Sequence, residues 1–408
     1  MTIRCLLLVI AATSVGSLLA APVKLSAAEA RSSSPTAKTL RVPAEHATIQ
    51  AAIDAAADGD TVLVAPGTYH EGLQLSGKSV RLVSEFDTRG DEQLIRTTIL
   101  DGTTQQADGS ETARDEVILV KDDAGPGTEI VGFTIRNGDD GIRNYARIRI
   151  AHNYFTANDD AVDNEGGGGV CEHNLFEKNG DDAVDYDLDS AGVVAHNIMR
   201  DNGDDGIEIR FHDYDGPPLE VVFRNNIITG NLEDGIQIID YPGVSNRRVR
   251  IERNVIALNA MAGIGLMSDA NSAEDYRAAD VPEAIEVINN TIVENDYGIT
   301  GGDNLVAINN IIARNKQLGM KKVDAGSVAA HNLFWQNGTA FDEASNVRDE
   351  HTLQANPQLA ADYRLAEGSP CVDAGIAELA DAKIRVEIDA DARLYGKPDL
   401  GAFELQTE

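Results

Sequence analysis

The amino-acid sequence predicts an all-β protein built as a single parallel β-helix, a solenoid in which short strands of successive coils stack. Its main support is a repeat of apolar-x-apolar, two residues, Asn, any residue, usually Ile or Phe, two residues, and a second Asn. The second Asn follows the first by five residues in all eight units. The first Asn stands at Asn153, Asn174, Asn197, Asn226, Asn254, Asn290, Asn310 and Asn332.

The two Asn registers have a physical explanation in a solenoid. Equivalent positions of successive coils stack about 4.8 Å apart, so a column of side-chain amides can hydrogen-bond along its length. Asn also tolerates the left-handed backbone of a tight corner. Successive first Asn residues are 20 to 36 residues apart, which fits one coil with loops of variable length. A leucine-rich repeat is excluded because the units carry no Leu ladder.

The composition narrows the function classes. The chain has 408 residues, 42% hydrophobic and 25% charged, which is enough apolar material for a large core. Its formal net charge is −33, and a field of that sign repels nucleic acid and attracts cations. We therefore expect no nucleic-acid partner.

The N-terminus predicts export. One positive charge at Arg4 precedes an apolar, uncharged run, and small residues follow. We assign residues 1–30 to a signal peptide and 31–39 to a flexible leader. The predicted location is secreted or periplasmic, with no membrane association after cleavage and a monomeric state.

The solenoid has a predicted cap at its N-terminal end. Thr48 is the expected N-cap of a short amphipathic helix that Gly59 ends, and residues 61–64 follow as a strand. Such a helix would cover apolar stacks that an open solenoid end exposes.

The repeat, the segment 48–69 and the tail segments 356–375 and 389–404 together resemble the right-handed parallel β-helix superfamily of pectate lyases, polygalacturonases and related carbohydrate-active proteins. The resemblance covers residues 40–405. It implies a right-handed solenoid over residues 40–345 and a tail, 346–408, that packs on the last coils. It is specific for fold and weak for reaction.

Acidic residues follow the second Asn in five successive units, NGDDGI, NDDAV, NGDDAVD, NGDDGIE and NLEDGI, between residues 137 and 236. Later units lose them, so coil geometry does not require the carboxylates. Like charges about 4.8 Å apart repel by roughly 3–4 kcal/mol at an effective dielectric near 20. A cation would offset this, and hard oxygen ligands suit Ca²⁺ better than zinc.

Two families suggest different chemistry for these carboxylates. NGDDAVD and NGDDGIE resemble the calcium-binding segment of one pectate lyase family, which implies Ca²⁺ ligands at Asp181, Asp182, Asp185, Asp204, Asp205 and Glu208. Such lyases also need a Lys or Arg base. Arg210 is the best-placed candidate for this base, and Arg143 and Lys321 are weaker candidates.

The second pattern is polygalacturonase-like hydrolysis, in which Asp160, Asp181 and Asp182 would do acid/base work. The Gly-His-Gly and Arg-Ile-Lys segments of that family are missing here. A third interpretation is a non-catalytic glycan-binding or cell-surface structural protein with a structural calcium ladder. The sequence favours the calcium-dependent polysaccharide lyase, acting by β-elimination on an acidic polysaccharide.

Residues around the acidic units are candidates for substrate binding. Arg143, Asp163 and Asp187 occupy predicted outward positions beside the cluster, and long insertions follow the same strands. The insertions carry aromatic rings that can stack on sugars and Arg side chains that can bind carboxylates. From these we select Tyr214, Tyr241 and Arg247; Phe211 and Tyr276 are the other rings.

The remaining His and Cys residues are expected to be structural. His152, His173, His196 and His331 each precede a first-register Asn. Cys171 and Cys371 are expected to be free, buried thiols, since pairing them would require the tail to fold back over several coils.

Overall fold

The computed structural model describes residues 37–405, apart from 107, 269–275, 277–278, 343–344, 346, 380–383 and 386–396. The predicted signal peptide and residues 31–36 of the predicted leader lie outside the described residues. Thr39, assigned to the leader, already begins the first strand. The chain forms a right-handed parallel β-helix, as predicted, with three sheets of parallel strands running the length of the solenoid.

The first sheet has 13 strands that pair in chain order: Thr39–Val42, Asp60–Val64, Val80–Ser84, Glu129–Val131, Arg147–Ala151, Gly168–Glu172, Ala191–Ala195, Tyr214–Arg224, Ser245–Glu252, Ala284–Ile288, Leu305–Ile308, Val328–Ala330 and Arg348–Glu350. The second sheet has 11: Gly67–Tyr69, Thr98–Asp101, Thr134–Arg136, Tyr154–Thr156, Leu175–Glu177, Ile198–Arg200, Ile227–Thr229, Val255–Ala257, Thr291–Val293, Ile311–Ala313 and Leu333–Trp335.

The third sheet also has 11 strands and carries the acidic units. Its strands are Leu73–Leu75, Arg114–Val120, Gly138–Asn144, Asp160–Glu165, Asp185–Asp187, Ile207–Phe211, Ile236–Asp240, Ala262–Ser268, Tyr297–Thr300, Leu318–Lys321 and Thr339–Phe341. Two antiparallel pairs lie outside the three sheets, Thr104–Gln105 with Glu111–Thr112, and Glu378–Leu379 with Ile384–Arg385.

Both predicted Asn ladders are present and buried at the corners between sheets. In the ladder that starts at Asn153, each side-chain Nδ2 donates to the Oδ1 of the next Asn at 2.9–3.2 Å. The ladder that starts at Asn158 has the same bonds at 2.9–3.3 Å. After the first Asn of each ladder, every Oδ1 also accepts the backbone N–H of the preceding ladder Asn, so the amides fix the coil-to-coil register.

The left-handed corner residue is not the ladder Asn itself, as the sequence argument supposed. It is the residue before it, with φ between 52° and 58° at the first corner and between 50° and 71° at the second. The ladder Asn must keep its amide in the column, so its neighbour makes the turn. This places His152, His173 and His196 in one stacked column, with ring centroids 5.0 and 4.9 Å apart.

The solenoid interior is apolar and its N-terminal end is capped. Period-two alternation points Ile207, Ile209 and their equivalents inward, where they are fully buried. The helix Ile49–Ala55 covers the first coil, and Thr48 caps it by accepting the Ala51 backbone N–H at 3.2 Å. Two further short helices, Phe86–Arg89 and Gln93–Thr97, lie before the strand Thr98–Asp101.

The tail packs against the outer side of the second sheet. Leu365, Cys371 and Leu400 are buried there with Val255 and Ile311. Cys371 and Cys171 are both free and buried, as expected. Among the helices of the described residues, none has the length and apolar character needed to cross a membrane.

Candidate functional site

The second Asp of the acidic units forms a ladder of its own on the third sheet. The Oδ1 atoms of Asp160, Asp182 and Asp205 accept the backbone N–H of the ladder residue in the next coil, at 3.1, 2.8 and 2.6 Å. Asp234 ends the ladder by accepting the Ala262 N–H at 2.5 Å. This structural use, which the acidic repeat did not reveal, occupies one oxygen of each carboxylate and leaves the other for a different task.

Carboxylates of two neighbouring coils meet beside this ladder. Oxygen atoms of Asp182, Asp185 and Glu208 all lie within 4.8 Å of one another, and so do oxygen atoms of Asp181, Asp182 and Asp204. We call these five residues the carboxylate cluster. Asp182, Asp185 and Glu208 are 4%, 5% and 6% exposed, so surrounding chain covers these outward positions of the sheet.

Asp205 is close in sequence to the cluster but plays a different part. It is fully buried, its Oδ1 belongs to the Asp ladder, and its carboxylate is in neither group of converging oxygens. Of the six residues selected as calcium ligands from the sequence, the structure thus brings five together, and Asp205 is not among them.

The cluster contains an unsatisfied buried oxygen. Asp185 Oδ2 accepts from Arg210 Nη1 at 2.8 Å, whereas its Oδ1 is buried with no hydrogen-bond partner in the described part of the chain. A buried carboxylate oxygen without a donor is costly. Only oxygen atoms converge here, so the donor set suits Ca²⁺ rather than a thiolate- or imidazole-preferring metal.

Burial and mutual repulsion disfavour the ionised cluster. Burial first, and then the charges of Glu208 and Asp185, raise the pKa of Asp182 well above its usual range. Burial raises the pKa of Glu208 to about 8. On the preceding coil, burial and neighbouring Asp181 raise the pKa of Asp160 to about 7.

The direction of these shifts sets their effect on stability. A carboxyl whose pKa is higher in the folded than in the unfolded chain stabilises the fold most below its unfolded pKa. That stability is lost as the pH rises through the folded pKa, here from about 4 towards 8 for Glu208. A bound cation would favour the ionised form and oppose this loss.

Arg210 is the counter-ion of the cluster. Its guanidinium contacts Asp185, Asp187 at 3.4 Å and Glu208. These carboxylates raise the pKa of Arg210 despite its partial burial. The arrangement weighs against Arg210 giving up a proton, which the sequence-based assignment as catalytic base requires.

We call the row of carboxylates from Asp140 to Glu208 along the third sheet the acidic strip, and a second arginine, Arg143, lies at its other end. Arg143 Nε lies 2.5 Å from Asp140 Oδ2 and 3.1 Å from Asp163 Oδ2. Arg143 and Arg210 are about one-third exposed, so both offer N–H groups to the surface while neutralising buried carboxylates. Lys321 lies farther along the sheet, over the ring of Tyr297 at 4.6 Å.

The loop residues selected from the sequence divide into two groups. Tyr214 and Tyr241 are half-exposed, whereas Phe211 and Tyr276 are buried and pack the loops onto the solenoid. Arg247 is also buried. It donates to the carbonyls of His212 at 2.8 Å and Leu188, so its guanidinium is engaged in holding the loops.

His212 is the residue that the sequence analysis overlooked. Its Nε2 lies 3.0 Å from Asp187 Oδ1, and its ring stacks on Tyr241 with centroids 4.9 Å apart and an interplanar angle of 11°. One feature of the sequence could have indicated it: His212 is a single His outside the repeat, four residues after Glu208. A groove lined by Gln74, Arg114 and Glu116 lies elsewhere on this sheet, nearer the N-terminal end.

Residues 118–241 match the family described as the right-handed beta helix region. The three parallel sheets show the fold of the described chain, a right-handed parallel β-helix, and the matched segment lies within it. The matched segment contains the carboxylate cluster, Arg210 and His212. No curated protein matches the chain in sequence.

Several solved structures resemble the chain at low sequence identity. XylC in complex with xylose is 11% identical, with a TM-score of 0.50 over 88% of this chain and 95% of that one. The A-module of the Azotobacter vinelandii mannuronan C-5 epimerase AlgE4 is 14% identical, with a TM-score of 0.46 over 76% and 92%. Pectate lyase Pel9A is 16% identical, with a TM-score of 0.39 over 87% and 90%. At these identities the likeness concerns the fold alone.

Proposed function

We propose that the protein is a carbohydrate-active enzyme, a calcium-dependent polysaccharide lyase that cleaves an acidic, uronate-containing polysaccharide by β-elimination. The observation that carries the proposal is the carboxylate cluster, in which buried oxygen atoms of Asp182, Asp185 and Glu208 converge within 4.8 Å. Export and a monomeric state belong to the same proposal.

The cluster fits Ca²⁺ by donor type, charge and an unsatisfied atom. Carboxylates of Asp181, Asp182, Asp185, Asp204 and Glu208 would hold the ion, and Asp185 Oδ1 has no other partner among the described residues. When bound, Ca²⁺ supplies positive charge that neutralises a uronate carboxylate and makes the proton on the adjacent carbon more acidic.

An acidic substrate needs such charge here because the chain carries a formal net charge of −33. Arg143 and Arg210 add N–H donors at the two ends of the acidic strip, and both are partly exposed. Tyr214 and Tyr241 supply half-exposed rings beside it, suitable for stacking on sugars. Asp163 and Asp187 hold the two arginines in place.

A glycoside hydrolase is the second candidate, and one observation favours it. The pKa of Asp160 is raised to about 7, mainly by burial, so this carboxyl can carry a proton at neutral pH and act as a general acid. In that case Asp181 or Asp182 would serve as the partner carboxylate, and metal would be dispensable.

A glycan panel distinguishes these reactions. The protein is incubated with uronate-containing and neutral polysaccharides, with Ca²⁺ or with a chelator, and products are followed by ultraviolet absorbance and reducing-end assay. We expect an absorbing product from an acidic polysaccharide that is lost on chelation, because β-elimination leaves a conjugated double bond. Saturated reducing sugars that persist in chelator would support the hydrolase instead. The absence of product from every glycan, with calcium binding retained, would favour a binding or structural protein.

A further inference from the structure

His212 stands at the end of the strand that carries Glu208 and Arg210. Its side chain is 34% exposed, unlike the buried cluster below it. Its backbone carbonyl accepts from Arg247, and its own N–H donates to the Arg210 carbonyl at 3.1 Å. Stacking on Tyr241 fixes the ring plane. A histidine held from its backbone, its ring face and one nitrogen is oriented for a task at the other nitrogen.

Asp187 connects this histidine to the cluster. Its Oδ1 faces His212 Nε2 at 3.0 Å, while its Oδ2 faces Arg210 Nη1 at 3.4 Å. The side chain of Asp187 faces two nitrogen donors here, and a carboxylate can only accept a hydrogen bond. The Nε2 of His212 therefore carries the proton in this pair, and the lone pair of the neutral ring is on Nδ1. Nδ1 has no hydrogen-bond partner in the described part of the chain.

We propose that His212 is the catalytic base of the elimination, with Asp187 as the residue that positions it. This inference rests on the proposed lyase function and assigns the proton-abstracting atom of the same site, His212 Nδ1. Arg210, the base suggested by sequence, has N–H groups engaged with Asp185, Asp187 and Glu208. Its part is to hold Asp187 and balance the charge of the cluster.

The reaction balances without a co-reactant, because water only carries a proton and is regenerated. Nδ1 of His212 takes the proton from C5 of the uronate, and the electron pair of that C–H bond forms the C4=C5 double bond. The bond between C4 and the glycosidic oxygen breaks with its electron pair on the oxygen, which takes a proton from water. The imidazolium, stabilised by Asp187, then loses its proton to the resulting hydroxide.

The test is imidazole rescue of His212→Ala, assayed on the acidic polysaccharide that the parent cleaves. We expect kcat to fall roughly 10²–10⁴-fold, the range for losing a positioned general base, with KM little changed. Added imidazole should restore part of the rate of this variant and should not accelerate the parent. Asp187→Asn should lower kcat by a smaller factor at similar KM, because it disturbs the tautomer and orientation of the ring.

His173→Asn is the matched control. His173 lies in the stacked corner column on the other side of the coil, and Asn accepts its left-handed backbone; activity should not change. Retained activity in His212→Ala, or a loss that imidazole does not restore, would overturn the base assignment while leaving lyase activity of the parent intact. A parent that forms no unsaturated product overturns both the assignment and the proposed function.

Discussion

Replacing Asn254 with leucine should lower the free energy of unfolding by roughly 2–6 kcal/mol, the cost of leaving about two buried polar groups without partners. Asn254 Oδ1 accepts the backbone N–H of Asn226 at 3.0 Å, and its Nδ2 donates to the Phe223 carbonyl at 2.9 Å. Leucine has a similar volume but neither function. Both partners lie inside the solenoid, where water cannot replace the lost bonds.

Urea unfolding followed by circular dichroism measures this effect. Asn246→Leu is the control, because Asn246 is exposed and its side chain donates to the Gly216 carbonyl at 2.8 Å, its one side-chain hydrogen bond within the described residues. We expect its midpoint to stay close to that of the parent. Equal unfolding midpoints for Asn254→Leu and Asn246→Leu would contradict the view that the Asn ladder stabilises the coil stack.

Removing the Arg210 guanidinium should also have a large effect, one that depends on calcium. In metal-free protein, Arg210→Ala should destabilise by about 3 kcal/mol, the low end of the range for breaking a buried ion pair, because Arg210 is 29% exposed. Asp185 and Glu208 would then lack their counter-ion. Calcium should stabilise this variant more than the parent, because the ion no longer competes with Arg210 for the same carboxylates.

Thermal unfolding with and without Ca²⁺ measures both parts of this prediction. Arg210→Lys should behave more like the parent because lysine keeps the positive charge. It should not match the parent fully, because lysine lacks the forked geometry of the guanidinium. Arg200→Ala removes an ion pair between the exposed Arg200 and the partly exposed Glu177, and it should cost less than about 1 kcal/mol. A calcium response in Arg210→Ala equal to that of the parent would show that Arg210 and the ion do not share ligands.

Much of the fold could be predicted from sequence because its determinants repeat. The Asn columns, the inward alternation of Ile and Val, and the helix capped by Thr48 each follow from local pattern. The left-handed backbone was expected at the ladder Asn and lies at the residue before it. The pattern shows which residue recurs in every unit, but it does not show which residue has the left-handed conformation. The Asp ladder was missed since an acidic repeat suggests ligands as readily as backbone acceptors.

The site was less predictable because part of it lies outside the repeat. All five proposed ligands sit on repeated positions, and their columns could be aligned. His212 and Arg247 stand in insertions, whose path depends on contacts such as the Arg247 bond to the Leu188 carbonyl, 59 residues away. No periodicity relates those residues, so their pairing required three-dimensional structure.

Calcium binding measured by titration calorimetry is the most direct test of the central claim, that the carboxylate cluster is a calcium site. The comparison is between the metal-free parent, the variant Asp182→Asn/Asp185→Asn and a control variant, Asp139→Asn/Asp159→Asn. Asp139 and Asp159 are exposed acidic residues of earlier coils that lie outside the carboxylate cluster. We predict saturable binding to the parent and to the control variant at pH 8. Binding should weaken at pH 5, as carboxyls with a raised pKa such as Glu208 take up protons, and should be lost in Asp182→Asn/Asp185→Asn. Equal calcium affinity in all three proteins, or no binding to the parent, would contradict the claim.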